Sequence, residues 1–424
     1  MADPIYFLKL EVENFRCFKK KTTLDLSDGN GNWKKWTVIL SENGRGKTTL
    51  LQLLAACELA ETGNPWLAVI TPVPSKSEIE FERESLGYTD GYVKVYTNSK
   101  QIDNQTIELL FYDDASIHGF LRYKEAYFDN LRCFGYGANR MMGATSLAHS
   151  KGENSETLYH DDALLINAEE WLLQLDYVAS KESEVKEYAA NRRDQVKQIL
   201  LNLLPDIEEI RFTTPTRAYL SSSVEFLTPY GWVNIHELSL GYKTMVAWLV
   251  DLAARMFDYY PESPNPLTEP AIVLVDEIDL HLHPKWQRKI FNYLSEKFPK
   301  TQFIVTAHSP LIVQSAPNDA NIVLLRKEGD HVVIDNDIKN VQNWRIDQIM
   351  SSDLFGIESS RSPEIEKTLQ ERKTLLQKTE LSPQEQQRLN ELNQQIRNLP
   401  TAENPEDIEA MDIIRRAAEY LRKK

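Results

Sequence analysis

Residues 41–48, SENGRGKT, have the types and spacing of a phosphate-binding loop. An apolar run at 36–40, which we predict to be a strand, precedes the loop, and an apolar stretch from residue 48, which we predict to be a helix, follows it. Glycines in such a loop let backbone N–H groups face phosphates, and the helix N-terminus adds partial positive charge. The sequence therefore predicts a nucleotide site in which Lys47 contacts the β- and γ-phosphates and Thr48 ligates Mg²⁺.

One position of this loop departs from the usual pattern. Ser41 stands where the first glycine of the motif normally lies, whereas the last five positions and the flanking elements are intact. Asn43 is a candidate for shaping the loop rather than contacting the ligand. The predicted ATP-binding residues of the loop are Asn43, Gly44, Arg45, Gly46, Lys47, Thr48 and Thr49.

Two adjacent acids end an apolar run at 271–275, in the sequence AIVLVDEID. We predict this run to be a buried strand, and ligands of open α/β sheets lie at the carboxyl ends of the strands. Asp276 is then placed to hold Mg²⁺, directly or through water, and Glu277 to act as the general base on the attacking water. The alternative is a solvated loop start, which the phosphate loop in the same chain makes less attractive.

Three histidines lie near these acids or after the next apolar strand. His308 follows the run at 302–306, where it could contact the γ-phosphate or order the attacking water. A single histidine is more often structural, but its position after a strand that follows the acid-bearing one favours a catalytic role. His281 and His283 alternate without a convergent third metal ligand, so we expect a structural or interface role for both.

The elements that must position these residues alternate between strand and helix. Apolar strands without polar alternation, separated by predicted helices near 241–258 and 284–298, indicate a parallel sheet covered on both faces. Between 61 and 235 the pattern changes to β-like runs, helical periodicity at 168–204 and a hairpin at 225–235. After about 360 the composition predicts a helical hairpin at 363–399 and a final helix at 406–422.

Composition limits the class of protein. The sequence has no run of eighteen apolar residues, so we expect no membrane span. We also expect no secretory signal at the N-terminus. The separated cysteines Cys17, Cys57 and Cys133 indicate reduced thiols, and together these features predict a cytoplasmic protein. The net charge of −15 argues against a protein that coats nucleic acid, although a local basic patch stays possible.

The sequence LSLGYKT at 238–244 places a serine and a glycine where we predict a helix to begin. A helix N-terminus of this kind binds anions. The same pattern is also a common helix cap, so taken alone it is a weak indicator of a ligand site.

Taken in order, these motifs resemble the ABC-type ATPases of the SMC/RecF-like branch, and especially the bacterial ATPases related to OLD proteins. The matching stretches are ENFRCF, SENGRGKTT, LSLGYKT, VDEIDLHLHP and TAHSP, within residues 5–330. The resemblance implies an α/β fold: a P-loop ABC-type ATPase domain at 1–340, with a β-subdomain and helical lobe inserted at 61–235. It leaves 341–424 as a C-terminal helical extension, used for docking or oligomerisation or packed on the core.

The resemblance also implies that two copies of the chain sandwich two ATP molecules with Mg²⁺. Lys47, Glu277 and His308 would be the catalytic groups, with Thr48 and Asp276 on the metal. Ser239 and Gly241 would bind the γ-phosphate held by the opposite copy, and Asp279 would lie across the dimer seam. Arg16 would lie near the nucleotide base. The glutamine that contacts magnesium in many relatives is not identified, since Gln52 and Gln174 are both poor candidates.

Three functions compete. The preferred one is a regulatory ATPase similar to the ATPase subunit of Septu-type anti-phage defence systems, controlling a separate nuclease, with an HNH-type partner favoured. The residues after 340 are too few for a Toprim nuclease and contain no Asp-x-Asp pattern, so no nuclease domain is expected. The alternatives are a DNA repair or recombination ATPase of the RecF/SMC type and, less favoured, a transporter nucleotide-binding subunit, which normally carries LSGGQ.

Overall fold

The computed structural model describes residues 3–59, 91–98, 106–111, 119–122, 131–144, 154–217, 221–338, 341, 344–357, 362–378 and 381–397. Its contacts divide the chain into one unit at Met1–Ile349 and another at Met350–Lys424. The first unit thus extends past residue 340, where we predicted the ATPase domain to end.

Three sheets are present in the described residues. The strands are β1 (Phe7–Glu13), β2 (Thr22–Asp25), β3 (Trp36–Leu40), β4 (Gly91–Thr97), β5 (Thr106–Phe111), β6 (Gly119–Arg122), β7 (Cys133–Tyr136), β8 (Glu209–Phe212), β9 (Val224–Thr228), β10 (Gly231–Asn234), β11 (Ala271–Val275), β12 (Thr301–Ala307), β13 (Asn321–Glu328) and β14 (His331–Asp335). Their orders are β2-β1-β4-β5-β6, β10-β9-β8 and β14-β13-β3-β12-β11-β7.

The six-stranded sheet forms the core of the first unit. Its strands are parallel except β14, which runs antiparallel to β13. Every residue of β3, β11 and β12 is buried, which explains why polar and apolar residues do not alternate along these strands. Because parallel strands end at the same edge, the segments following β3, β7, β11 and β12 meet there.

The described residues also contain α-helices. They are α1 (Lys47–Leu59), α2 (Glu156–Tyr159), α3 (Ala168–Ser180), α4 (Lys186–Leu203), α5 (Leu240–Tyr259), α6 (Pro284–Gln287), α7 (Ile290–Lys297), α8 (Pro310–Ser315), α9 (Ile346–Met350), α10 (Pro363–Leu376) and α11 (Pro383–Arg397). The helical periodicity at 168–204 belongs to two helices, α3 and α4. The single helix expected near 284–298 is also two, α6 and α7, with Arg288 and Lys289 between them.

The five-stranded and three-stranded sheets are antiparallel. Strands β4, β5 and β6 of the first sheet and all three strands of the second lie within 61–235, where we predicted an insertion, whereas β1 and β2 come from the N-terminal segment. β1 lies between β2 and β4, and the alternation of Leu10 and Val12 into the core fits a sheet with one buried face. The predicted hairpin at 225–235 is confirmed as β9 and β10, with Thr228 opposite Gly231 at the turn. Residues 60–90, within the insertion, lie outside the described residues.

The second unit contains the helical hairpin that the sequence predicts. Ser362 caps α10, and α10 and α11 share a small core of Leu375, Leu389 and Leu392 with Leu381 beside it. The final helix expected at 406–422 lies outside the described residues. No described helix is long and apolar enough to cross a membrane.

Candidate nucleotide-binding site

The loop after β3 has the backbone of a phosphate-binding loop. Gly44 and Gly46 both lie in the left-handed region, at φ +73° and +89°, which glycine adopts without steric cost. A Cβ on Gly46 would also lie 2.6 Å from Cys17 Sγ and 2.9 Å from the Phe18 ring. Glycine is therefore needed at 46 for both conformation and packing, and the ENFRCF stretch forms the wall behind the loop.

Arg16 belongs to that wall. Its own backbone is left-handed, at φ +51°. The guanidinium donates to Thr49 Oγ1 and to Gln52 Oε1, each over 3.1 Å. This brings Arg16 to the first turns of α1, beside the phosphate-binding loop, and its proximity to the nucleotide base stays a prediction.

Lys47 is buried within the loop. Its ammonium donates to Ser41 O over 3.0 Å, to Ser41 Oγ over 3.3 Å and to Glu42 O over 3.4 Å. Burial lowers the pKa of Lys47, and the carboxylates of Asp276, Glu277 and Asp279 oppose that shift. A phosphate in the loop would give this buried cation a charged partner in place of neutral carbonyls.

The serine at the first loop position has a role in this arrangement. Ser41 is 9% exposed and presents two oxygens to Lys47, where glycine would present one. Asn43 and Gly44 are exposed, and Arg45 is paired with Glu42 over 2.6 Å. Because the Ser41 side chain faces Lys47, it does not cover the loop backbone, which stays open towards a ligand.

Thr48 and Asp276 meet although they are far apart in sequence. The hydroxyl of Thr48 donates to Asp276 Oδ2 over 2.6 Å. A hydroxyl and a carboxylate are the oxygen ligands that Mg²⁺ takes beside nucleotide phosphates. The donor set present therefore fits the metal that the sequence predicts.

Glu277 has a backbone conformation that non-glycine residues rarely adopt. Its φ is +49°, and its N–H donates to Thr306 Oγ1 over 2.7 Å. The Thr306 hydroxyl in turn donates to Asp276 Oδ1. One threonine on β12 thus fixes both acids at the end of β11.

His308 lies beside the glutamate. His308 Nε2 is 3.6 Å from Glu277 Oε1, and both side chains are about one-third exposed, at 34% and 32%. The backbone N–H of His308 donates to both oxygens of Asp279, at 3.1 and 3.3 Å. Asp279, predicted to lie across a dimer seam, engages this loop within its own chain.

The serine and glycine of LSLGYKT begin α5. Ser239 is the N-cap residue, but its side chain makes no capping hydrogen bond and is exposed. The hydroxyl is thus not used as an ordinary helix cap, which was the alternative interpretation of this motif. A Cβ on Gly241 would lie 2.4 Å from His281 O, so the motif packs directly against the loop that follows β11.

His281 and His283 both contact backbone atoms or contribute their own. His281 has φ +63° and faces Gly241 through its carbonyl. His283 caps α6, since its Nδ1 accepts from Lys285 N over 3.2 Å. Among the described residues, no group of three or more His, Cys, Asp or Glu side chains could hold a metal ion.

Three residues of the site were missed by the sequence analysis. Thr306 bridges the two acids, Gln287 donates to Asp279 O and Leu282 O, and Arg140 donates to the carbonyls of Asp276 and Glu277. Gln52 and Gln174, which we considered poor metal ligands, are used elsewhere: Gln52 donates to Leu158 O and Gln174 to Glu170.

Together, the parallel sheet, the loop between β3 and α1 and the acids after β11 define the fold of P-loop ATPases. A family model described as "AAA domain, putative AbiEii toxin, Type IV TA system" matches residues 42–314. The chain belongs to this family of AAA domains.

Curated relatives match the chain over different lengths. The Septu protein PtuA of Bacillus mycoides is 25% identical over 354 residues, which is 82% of this chain and 44% of that protein. The "Retron Vc95 probable ATPase" of Vibrio cholerae is 35% identical over 138 residues, 32% of this chain and 26% of that protein. The "Retron Ec83 probable ATPase" of Escherichia coli is 37% identical over 147 residues, 34% and 26%. The chain thus spans less than half the length of these relatives.

Solved structures of SMC head domains also match. The SMC head bound to the C-terminal winged-helix domain of ScpA is 16% identical, with a TM-score of 0.43 over 78% of this chain and 97% of that chain. The SMC head domain of Thermotoga maritima is 14% identical, with a TM-score of 0.40 over 80% of this chain and 100% of that chain.

Proposed function

We propose that the chain binds ATP with Mg²⁺ and hydrolyses it. The observation that carries this proposal is the convergence of Lys47, Thr48, Asp276, Glu277 and His308 at one edge of the sheet, with Thr48 bonded to Asp276 and His308 beside Glu277. Family membership supports the same function, because the matched region contains all five residues.

The proposed reaction is attack of water on the γ-phosphate. The water oxygen bonds to the γ-phosphorus, the bond from that phosphorus to the oxygen bridging it to the β-phosphate breaks, and the electron pair leaves with ADP. Glu277 accepts the proton of the water, and Lys47 balances charge on the phosphate oxygens. Mg²⁺, held by Thr48 and Asp276, would neutralise phosphate charge. His308 orders the water or contacts the γ-phosphate.

We propose further that hydrolysis requires a second copy of the chain. Ser239 and Gly241 would approach the γ-phosphate held by that copy. The uncapped, exposed hydroxyl of Ser239 and the open helix N-terminus behind it support this role, since such a site attracts anions. Asp279 would take part at the seam together with the loop it stabilises in cis.

The biological role that we propose is regulation of a partner nuclease in anti-phage defence. Its support is the similarity to a Septu protein over most of this chain and to two retron ATPases over a shorter segment. Nucleotide-dependent pairing of two copies would be the regulatory event, and an HNH-type nuclease is the partner we favour.

The nucleotide part of the proposal is tested with a matched pair of lysine variants. Lys47→Ala should abolish ATP binding measured by calorimetry. Lys35→Ala is the control, because Lys35 is also partly buried, donates to two backbone carbonyls, Ser295 O and Pro299 O, and has a pKa lowered by burial. Lys35→Ala should leave the affinity unchanged. Normal affinity in Lys47→Ala would contradict the loop assignment.

The regulatory part is tested by co-purifying the tagged chain with the product of its neighbouring gene. DNA cleavage by the complex is then measured with and without ATP. A stable complex whose cleavage depends on ATP supports the proposal. Absence of a partner, together with hydrolysis strongly stimulated by duplex DNA, would instead indicate a repair or recombination ATPase.

A further inference from the structure

Arg140 lies beneath the catalytic acids. It follows β7, the strand that pairs with β11, and only 3% of the residue is exposed. One terminal nitrogen of its guanidinium donates to Asp276 O and to Gly137 O, the latter over 2.9 Å. The other donates to Glu277 O over 3.0 Å, while Nε has no hydrogen-bond partner among the described residues. The planar fork thus contacts two successive carbonyls of the acid-bearing turn.

Those carbonyls belong to Asp276 and to Glu277, whose backbone is in the left-handed region. The left-handed φ of +49° at Glu277 turns its peptide units away from the direction of the strand. Thr306 holds the N–H side of this turn, and Arg140 holds the carbonyl side. Strained conformations at functional sites persist where the surroundings determine them from several directions.

The segment carrying Arg140 is fixed against its neighbours. A Cβ on Gly137 would lie 1.9 Å from Thr157 O, and a Cβ on Gly143 would lie 2.5 Å from Leu165 O. Backbone hydrogen bonds join Gly143 N to Leu165 O and Leu165 N to Met141 O, each over 2.9 Å. The backbone on both sides of Arg140, at Gly137 and at Gly143, is therefore held by close packing.

The charge of Arg140 is buried beside three acids. Burial lowers its pKa to about 10, and the carboxylates of Asp276, Asp279 and Glu277 oppose that shift. The guanidinium therefore stays protonated at neutral pH. Its charge lies close to the three carboxylates, but its hydrogen bonds are to backbone oxygens.

We propose that Arg140 is a positioning residue for hydrolysis, whose guanidinium fork fixes the turn at Asp276 and Glu277 so that the Glu277 carboxylate points at the attacking water. This inference rests on the proposed ATPase function. It assigns Arg140 no contact with nucleotide, so loss of the fork should slow the chemical step without weakening ATP binding.

The first test is Arg140→Lys. Lysine keeps a positive charge but presents a compact ammonium rather than a planar fork, so it cannot hold both carbonyls in the same way. We expect kcat to fall by about 10- to 100-fold, the scale expected when a catalytic group is misplaced by about 1 Å. KM and the Kd for ATP should change by less than about threefold. A kcat equal to that of the parent would overturn the proposal.

Arg192→Lys is the matched control. Arg192 is 4% exposed, donates to Pro261 O and packs on the rings of Tyr188 and Phe257, in the helical lobe. The melting temperatures of both variants report any loss of folding. A fall in kcat of equal size in both variants would show general structural damage and overturn the specific role of Arg140.

A double-mutant cycle with Glu277→Gln separates positioning from stability. If Arg140 acts through Glu277, adding Arg140→Lys to Glu277→Gln should lower the residual rate by less than about threefold, because the interaction is already lost. Additive effects would overturn the proposal. Absence of hydrolysis by the parent chain would overturn the proposed function together with this inference. If the parent hydrolyses ATP and the effects of Arg140→Lys and Glu277→Gln on the rate are additive, only the inference about Arg140 is overturned.

Discussion

Gly241 and the carbonyl of His281 are in direct contact: a Cβ at position 241 would lie 2.4 Å from that oxygen. The start of α5 is therefore packed on the loop that carries Glu277 and Asp279. Gly241 thus has a role within its own chain, whatever it contributes to a second nucleotide site.

Gly241→Ala should destabilise the nucleotide-free chain, since the contacting atom is backbone and cannot rotate away. Alanine is favoured over glycine in a helix by about 1 kcal/mol, but overpacking costs about 1–3 kcal/mol. We expect a net loss of stability, measured by chemical denaturation, and a lower hydrolysis rate. A more stable variant with parental hydrolysis would contradict the importance of this contact.

Ser239→Arg is the companion variant, because Ser239 lies in the same turn and is exposed. It should leave the stability of the nucleotide-free chain within about 0.5 kcal/mol of the parent. It should nevertheless prevent ATP-dependent dimers, measured by light scattering. A normal dimer in Ser239→Arg would exclude the proposed role of Ser239 in trans.

Glu277→Gln should retain ATP binding and slow hydrolysis by about 10²- to 10⁴-fold, the usual contribution of a general base. Glutamine keeps the size of the side chain but cannot accept the proton. The same variant should accumulate ATP-bound dimers, whereas the parent hydrolyses the ATP that they hold. Glu296→Gln is the control, since Glu296 is 71% exposed and paired with Lys297. Parental turnover in Glu277→Gln would show that another group is the base.

The strands that carry the candidate site could be predicted from the sequence. The run at 271–275 is confirmed as β11, because five successive apolar residues are a strong signal of a buried strand. The segment 302–306, with apolar residues at 303–305, lies within β12. The motifs after these strands could be located for the same reason.

The supporting residues could not be predicted, because they depend on strand neighbours. β7 has only four residues, and nothing in its sequence shows that it pairs with β11. Arg140 enters the site through that pairing. Similarly, Thr301 and Thr306 lie on the same strand and are both fully buried, yet only the structure distinguishes their hydroxyl groups.

Asp251→Ala should be one of the most destabilising single changes in α5. Asp251 is fully buried and accepts from Arg255 Nε over 2.7 Å and from Tyr136 Oη over 3.0 Å. Removing one member of a buried ion pair costs about 3–5 kcal/mol, because the other charge is left in place. Chemical denaturation measures the loss.

The matched control is Glu182→Ala, which breaks another i,i+4 pair. Glu182 pairs with Lys186, and its side chain is 89% exposed. Its effect on the free energy of unfolding should stay below about 1 kcal/mol. Equal effects of the two variants would mean that burial does not determine the contribution of the Asp251 pair.

Thr306→Val should damage the site more than the fold. Valine keeps the shape but removes the hydroxyl that accepts from Glu277 N and donates to Asp276. The unpaired N–H and the carboxylate together should cost about 1–3 kcal/mol of stability, and the freed acids should weaken Mg²⁺ dependence and lower kcat. Thr306→Ser, which keeps the hydroxyl, should retain most of the activity.

Thr301→Val tests whether any buried threonine of β12 would have the same effect. Its hydroxyl has no hydrogen-bond partner in the described part of the chain, so removing a buried polar atom there should leave stability unchanged or raise it. Hydrolysis should stay at the parental rate. If Thr306→Val and Thr301→Val gave the same kcat and the same unfolding midpoint, the hydrogen bonds of Thr306 to Asp276 and Glu277 would contribute nothing to activity or stability.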